Sequence, residues 1–135
     1  MIRLQSEPID YHALTEAARH NNCGAVCLFL GTVREFTGTE QTKSLVYEAH
    51  PALAPQLLAQ VEAETRSQWP VHEVLLVHRT GHLGLGEISV AVAVSAGHRK
   101  EAFAACQFAI DRLKEIVPIW KQERLVDGRS EWVHP

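Results

Sequence analysis

Apolar positions recur with two different periods along the chain, and the changes of period mark out its elements. Residues 25–30, Ala-Val-Cys-Leu-Phe-Leu, form a short continuous apolar run behind Gly24, the pattern of a buried strand. The run ends at Gly31-Thr32-Val33-Arg34 and gives way to a polar loop over 35–43. Residues 44–50 and 74–78 predict further strands, separated from the next by a turn-rich connection with three glycines over 80–86. Over 87–95, Ile88, Val90, Val92 and Val94 alternate with small residues. That alternation predicts a sheet with helices over one face and close packing on the other.

Helical spacing takes over in three places. Residues 9–22 predict a short helix with Asp10 near its start. In 51–69, Leu53, Leu57, Leu58 and Val61 recur at helical intervals until Pro70 stops them. The longest stripe lies in 99–117, where Ala102, Phe103, Cys106, Ile110, Leu113 and Val117 share a face and Pro118 ends it. Lys114 projects only about 20° from Phe103, so it should emerge between core and solvent, where desolvation tunes a pKa. The order α-β-β-α-β-β-α, without repeat or linker, predicts an α+β fold. We expect one domain over 1–135, an α/β sandwich with a mixed, largely antiparallel sheet.

Composition narrows the function more than the fold. A chain of 135 residues, 46% hydrophobic, can bury a core without disulfides or metals. Its net charge of −3 argues against a nucleic-acid partner, so any cationic site must be local. No stretch reaches the roughly 20 apolar residues of a membrane span, and the first residues lack a signal-peptide pattern. Cys23, Cys27 and Cys106 are odd in number and lie among apolar residues, which suits reduced thiols in the cytoplasm.

The candidate chemistry is basic. His98-Arg99 opens the last helix after Ser95-Ala96-Gly97, where free N–H groups and an arginine can clamp a phosphate. The pair also reads as an ordinary exposed helix start. Lys114 and Lys121 flank Pro118-Ile119-Trp120, expected to be a rigid apolar turn, with Glu123 close behind. Such a setting can hold an ammonium at a reacting centre, although either lysine alone also reads as a solvated surface group. Arg34 follows a buried strand at the mouth of a loop. Other patterns carry less. Cys23 and Cys27 lack a second ligand pair, and His78-x-x-x-His82 spans a strand end and a glycine turn instead of a helix. Gly81-x-x-Gly84-x-Gly86 lacks the Lys-Ser/Thr ending of a phosphate loop. No nucleophile stands out, and neither a metal nor a cofactor is expected.

Several segments together resemble the large, catalytic subunit of molybdopterin synthase, the MoaE family. They are FLGTVRE (29–35), LVYEAH (45–50), VHRTGHLGLGE (77–87), AGHRKEAFAA (96–105) and DRLKEIVPIWKQE (111–123). A C-terminal Asp127-Gly128 with Trp132 extends the resemblance over nearly the whole chain. It implies a hammerhead-like fold and a sulfur insertion that converts cyclic pyranopterin monophosphate to the dithiolene of molybdopterin. It also implies a small ubiquitin-like partner that brings sulfur as a thiocarboxylate on its C-terminal Gly-Gly tail. The assembly implied is a homodimer within a heterotetramer. By motif, Thr32, Val33, Arg34, His98, Arg99, Lys114, Lys121, Gln122 and Glu123 would bind substrate, with Lys114 and Lys121 also catalytic. Family members often continue beyond the position of Pro135, so any contribution of such a tail is expected to be missing here or supplied from elsewhere.

Helix geometry constrains that site. Arg99 and Lys114 lie fifteen positions apart, roughly 22 Å along one helix. One compact ligand cannot readily touch both, so we expect either two subsites or, preferably, a site completed across a homodimer. The competing reading is a non-catalytic regulatory module that binds an anion or a partner's tail, and a further one is another small phosphate-handling enzyme.

Overall fold

A computed structural model describes residues 1–133. The elements run β1 (Ile2–Gln5), α1 (Tyr11–Ala18), β2 (Ala25–Thr32), β3 (Phe36–Thr37), β4 (Glu40–Ala49) and α2 (Leu53–Gln68). They continue with β5 (Val71–Arg79), β6 (Gly81–Gly84), β7 (Ile88–Ala96), α3 (Arg99–Ile116), β8 (Ile119–Leu125) and β9 (Ser130–Val133).

Two sheets replace the one expected. The first has the order β1-β5-β7-β2, in which β7 runs antiparallel to both neighbours and β1 parallel to β5. The second follows β3-β4-β8-β9, with β6 also pairing with β4. The fold is therefore mixed and largely antiparallel, as the sequence suggested. The alternation along β7 splits the molecule. Val90, Val92 and Val94 enter the larger core with Leu58 and Val61 of α2 and Ala109 and Leu113 of α3. Leu45, Tyr47, Leu83 and Ile119 of the second sheet join the same core. Ala91 and Ala93 face the other way, against Leu14 and Ala18 of α1. The small-residue face is thus covered by a helix after all, because alanines let α1 approach closely.

The helix ends follow local chemistry. Asp10 caps α1, its carboxylate accepting from the Ala13 N–H at 3.0 Å. His50 Nδ1 accepts from the Leu53 N–H at 3.1 Å ahead of α2. Pro70 and Pro118 follow α2 and α3.

Five expectations need correction. Residues 9–22 yield a helix only over Tyr11–Ala18, because the chain turns before Gly24. Within 35–43 lies the short hairpin of β3 and β4, and within 80–86 lies β6. Phe103 is 64% exposed; the core stripe of α3 runs through Ala102, Ala105, Cys106, Ala109, Ile110 and Leu113. Phe103 instead borders a groove beside Phe29. Finally, Pro118-Ile119-Trp120 is no turn: it leads directly into β8, which runs antiparallel along β4.

Candidate active site

Three segments converge on one cavity of about 240 Å³. The end of β2 supplies Gly31, Thr32, Val33 and Arg34; the last turn of α3 supplies Lys114; β8 supplies Lys121 and Glu123. The first segment is held by its backbone. Val33 donates its N–H to the Glu87 carbonyl at 3.0 Å, and Gly86 donates back to the Val33 carbonyl at 2.7 Å. A Cβ at Gly31 would lie 2.6 Å from Val90 Cγ1, so only glycine lets β2 pass so close to the floor of the cavity. Ser89 Oγ donates to the Gly31 carbonyl at 3.2 Å.

The period of two along β8 decides which side chains enter. Ile119 and Leu125 are buried, and Lys121 and Glu123 share their face. Opposite them on β4 stand Tyr47, which pairs with Lys121, and Leu45, which pairs with Glu123. Lys121 Nζ lies 3.2 Å from Glu123 Oε1. Lys114 keeps part of its side chain exposed, yet the atoms crowding it lower its pKa by burial, and the like charge of Lys121 lowers it further. Lys114 therefore gives up its proton more readily than a free lysine.

Behind Tyr47 lies His78. The two rings meet edge-on with centroids 5.1 Å apart, and His78 Nδ1 is 2.8 Å from the Arg79 carbonyl, to which it donates. Burial pushes the His78 pKa down to about 4; the Arg79 bond opposes this, and Lys114 adds to it. The imidazole is neutral at neutral pH.

Six of the expected residues, Thr32, Val33, Arg34, Lys114, Lys121 and Glu123, therefore line one cavity. Three do not. Gln122 lies on the other face of β8, across from Val46 and Trp132. His98 is the N-cap residue of α3 and Arg99 its first residue, both exposed at the far end of the helix from Lys114. Tyr47, Thr42, Ser89 and His78 were not singled out as site residues. Tyr47 and His78 belong to the LVYEAH and VHRTGH runs, but their convergence depends on the pairing of β4 with a strand that had not been foreseen.

Chemically, the cavity offers two ammonium groups, a guanidinium and one carboxylate, and no cysteine lines it. It can hold an anion and exchange a proton through Lys114.

Residues 4–116 match the MoaE protein family. The chain is 41% identical over 130 residues to the molybdopterin synthase catalytic subunit of Halalkalibacterium halodurans, which covers 96% of this chain and 83% of that protein. Among solved structures it is similar to the molybdopterin synthase from Staphylococcus aureus, with a TM-score of 0.90, 43% identity and coverage of 96% and 94% of the two chains. It also shares the fold of a chain in the complex of subunits 1 and 2 of the molybdopterin-converting factor from Helicobacter pylori 26695. There the TM-score is 0.77, at 21% identity over 98% of this chain and 88% of that one.

Proposed function

The chain belongs to the MoaE protein family and serves molybdenum cofactor biosynthesis as a molybdopterin synthase catalytic subunit; from that premise we propose that sulfur is inserted in the cavity between Lys114 and Lys121. The substrate is cyclic pyranopterin monophosphate. The sulfur arrives as a thiocarboxylate on the Gly-Gly tail of a small ubiquitin-like partner subunit. Each transfer forms a carbon–sulfur bond at a side-chain carbon of the pterin as a carbon–oxygen bond there breaks, that oxygen staying on the phosphate or leaving as water, and hydrolysis of the tail's acyl–sulfur bond releases the tail as a carboxylate. The observation that carries this reading is the convergence of Lys114, Lys121 and Arg34 on a cavity without a thiol of its own. Substrate and thiocarboxylate are both anionic, which accounts for a local basic site on a chain of net charge −3.

Within that site Lys114, with its lowered pKa, exchanges the proton at the reacting centre. Lys121, oriented by Glu123, supplies a fixed cation for developing negative charge. Arg34, with Thr32 and Val33 beside it, holds the substrate. His98 and Arg99 act from the other protomer of a homodimer, because α3 separates them from Lys114 within one chain. With two partner subunits the assembly is a heterotetramer. Gln122 stands outside the cavity of its own protomer. We read residues 1–135 as one domain, since a single core joins both sheets, and place it in the cytoplasm, where its three free cysteines stay reduced.

The test is incubation with cyclic pyranopterin monophosphate and the thiocarboxylated cognate partner, with dithiolene product followed over time. Wild-type protein forms product, and Lys114→Ala slows it by about 100- to 1,000-fold. Absence of product while the anion still binds would leave only an anion-binding module.

A further inference from the structure

At the opposite end of α3 from the Lys114 cavity, the turn between α1 and β2 meets the first residues of β5. There His20, Cys23 and His72 each offer a ligand atom within 4.8 Å of the other two. We propose that these three residues bind a zinc-class divalent metal ion, with water completing a tetrahedron, at a site separate from the sulfur-transfer cavity.

The backbone builds the trio by three local devices. First, the Cys23 N–H donates to the His20 carbonyl at 3.0 Å, closing a turn that brings the two residues together at His-x-x-Cys spacing. That interval is one by which zinc ligands are commonly paired in sequence. Second, Gly24 anchors the turn by donating to the Gly97 carbonyl at 3.1 Å, where a Cβ would come within 2.6 Å of the same oxygen. Third, β5 slips register against β7 between Val71 and Glu73, which leaves His72 as the extra residue of a bulge. A bulge re-aims a side chain, and here it sets the His72 ring 4.2 Å from that of His20. Arg66 fixes the bulge by donating to the His72 carbonyl at 2.9 Å.

The donor set selects the metal. One thiolate and two imidazoles suit zinc and its borderline relatives, whereas magnesium and calcium require oxygen ligands. A cavity of about 430 Å³ lined by Arg19, His20, Asn21, Cys23 and Gly24 opens beside the trio, giving an entry path and room for the water. Arg19 is ion-paired with Glu16 at 2.9 Å, which offsets its charge at that mouth. One feature works against tight binding. The Asn22 N–H donates to His20 Nδ1 at 3.1 Å, which puts the ring proton on Nε2. The metal displaces that bond at either ring nitrogen, because a ring bound through Nε2 carries its proton on Nδ1; and since the ligands must be a thiolate and neutral imidazoles, loading weakens in acid.

Cobalt(II) titration of the untagged, reduced full chain, followed by zinc displacement, tests the site. One equivalent of cobalt should develop a thiolate charge-transfer band and tetrahedral visible bands, and zinc should abolish both. Cys23→Ser should remove the charge-transfer band. His72→Asn should weaken zinc by more than the roughly tenfold that loss of even an outer partner costs. Cys27→Ser and His82→Asn serve as controls and should bind like wild type, with circular dichroism confirming that all variants fold. No band in the wild type, a band persisting in Cys23→Ser, or unchanged zinc affinity in His72→Asn would overturn the proposal. A preference for copper(I) over zinc would overturn the metal class.

Discussion

Lys121 and Glu123 face the same way on β8 and meet at 3.2 Å inside the cavity that Lys114 enters from α3. The carboxylate has two opposed effects there. It orients the Lys121 ammonium, and it sets a negative charge where an anionic substrate is proposed to bind. Glu123→Gln separates them. Loss of the repulsion should lower KM, while loss of the orienting partner should lower kcat by between about tenfold and a hundredfold. Steady-state kinetics with the thiocarboxylated partner measure both constants, and no change in either would remove the pair from the site.

The charge of Lys121 should also bear on the titration of Lys114. Burial is the larger cause of the lowered Lys114 pKa, and the Lys121 charge is the second. Lys121→Gln deletes only the second, so the Lys114 pKa should rise without reaching that of a free lysine. NMR of the Lys114 Cε and Nζ nuclei across alkaline pH reads this directly. A pKa that stays put or falls would show that the ammonium groups do not face each other.

The same cavity explains why part of the fold was hard to read from residues alone. In α2 and α3 the apolar spacing is regular and a proline closes each, so both were legible. In β8 the inward positions between Ile119 and Leu125 are Lys121 and Glu123. Charged groups stand there because they line the cavity, and they erase the alternation that reveals a strand. Two of the four residues of β6 are glycines, which read as a turn, and β1 is only four residues long. Arg34, Lys114, Lys121 and Glu123 stood out by their local setting as well as by family resemblance, and they line one cavity. The place of Tyr47 and His78 beside them depends on a strand pairing that no local pattern encodes, and the His72 bulge is equally a product of long-range register.

If His98 and Arg99 reach the cavity from a second protomer, inactive variants should rescue each other. In a dimer of one Arg99→Ala chain and one Lys114→Ala chain, one cavity combines both intact residues and the other lacks both. Random mixing makes half the dimers of this kind, so about a quarter of the wild-type sites should be intact. Product formation after mixing through a mild dissociating step measures the recovery. Activity no higher than that of the separate variants would place Arg99 outside the site or confine each site to one chain.

His78 should make the fold sensitive to acid. It is 3% exposed, and its pKa is pushed down from 6.5 to about 4 chiefly by burial. The folded pKa lies below the unfolded one, so the unfolded chain takes up a proton that the folded chain refuses. His78's contribution is therefore complete above about pH 6.5, shrinks as the pH falls, and levels off once the folded imidazole is also protonated. The full loss is roughly 3 kcal/mol for a shift of this size. Glu62 and Glu87 have lowered pKa values and lose their own stabilisation as pH falls through the carboxylate range. The His78 share must accordingly be isolated as a difference. Urea unfolding of wild type and His78→Gln, compared at about pH 7 and about pH 4.5, does this. The variant pays the cost of a changed buried side chain at both values, but it lacks a group that protonates only on unfolding. The gap between the two proteins should therefore narrow, or reverse, at the lower pH. A gap of equal size at both would show that His78 is not the group that couples folding to acid.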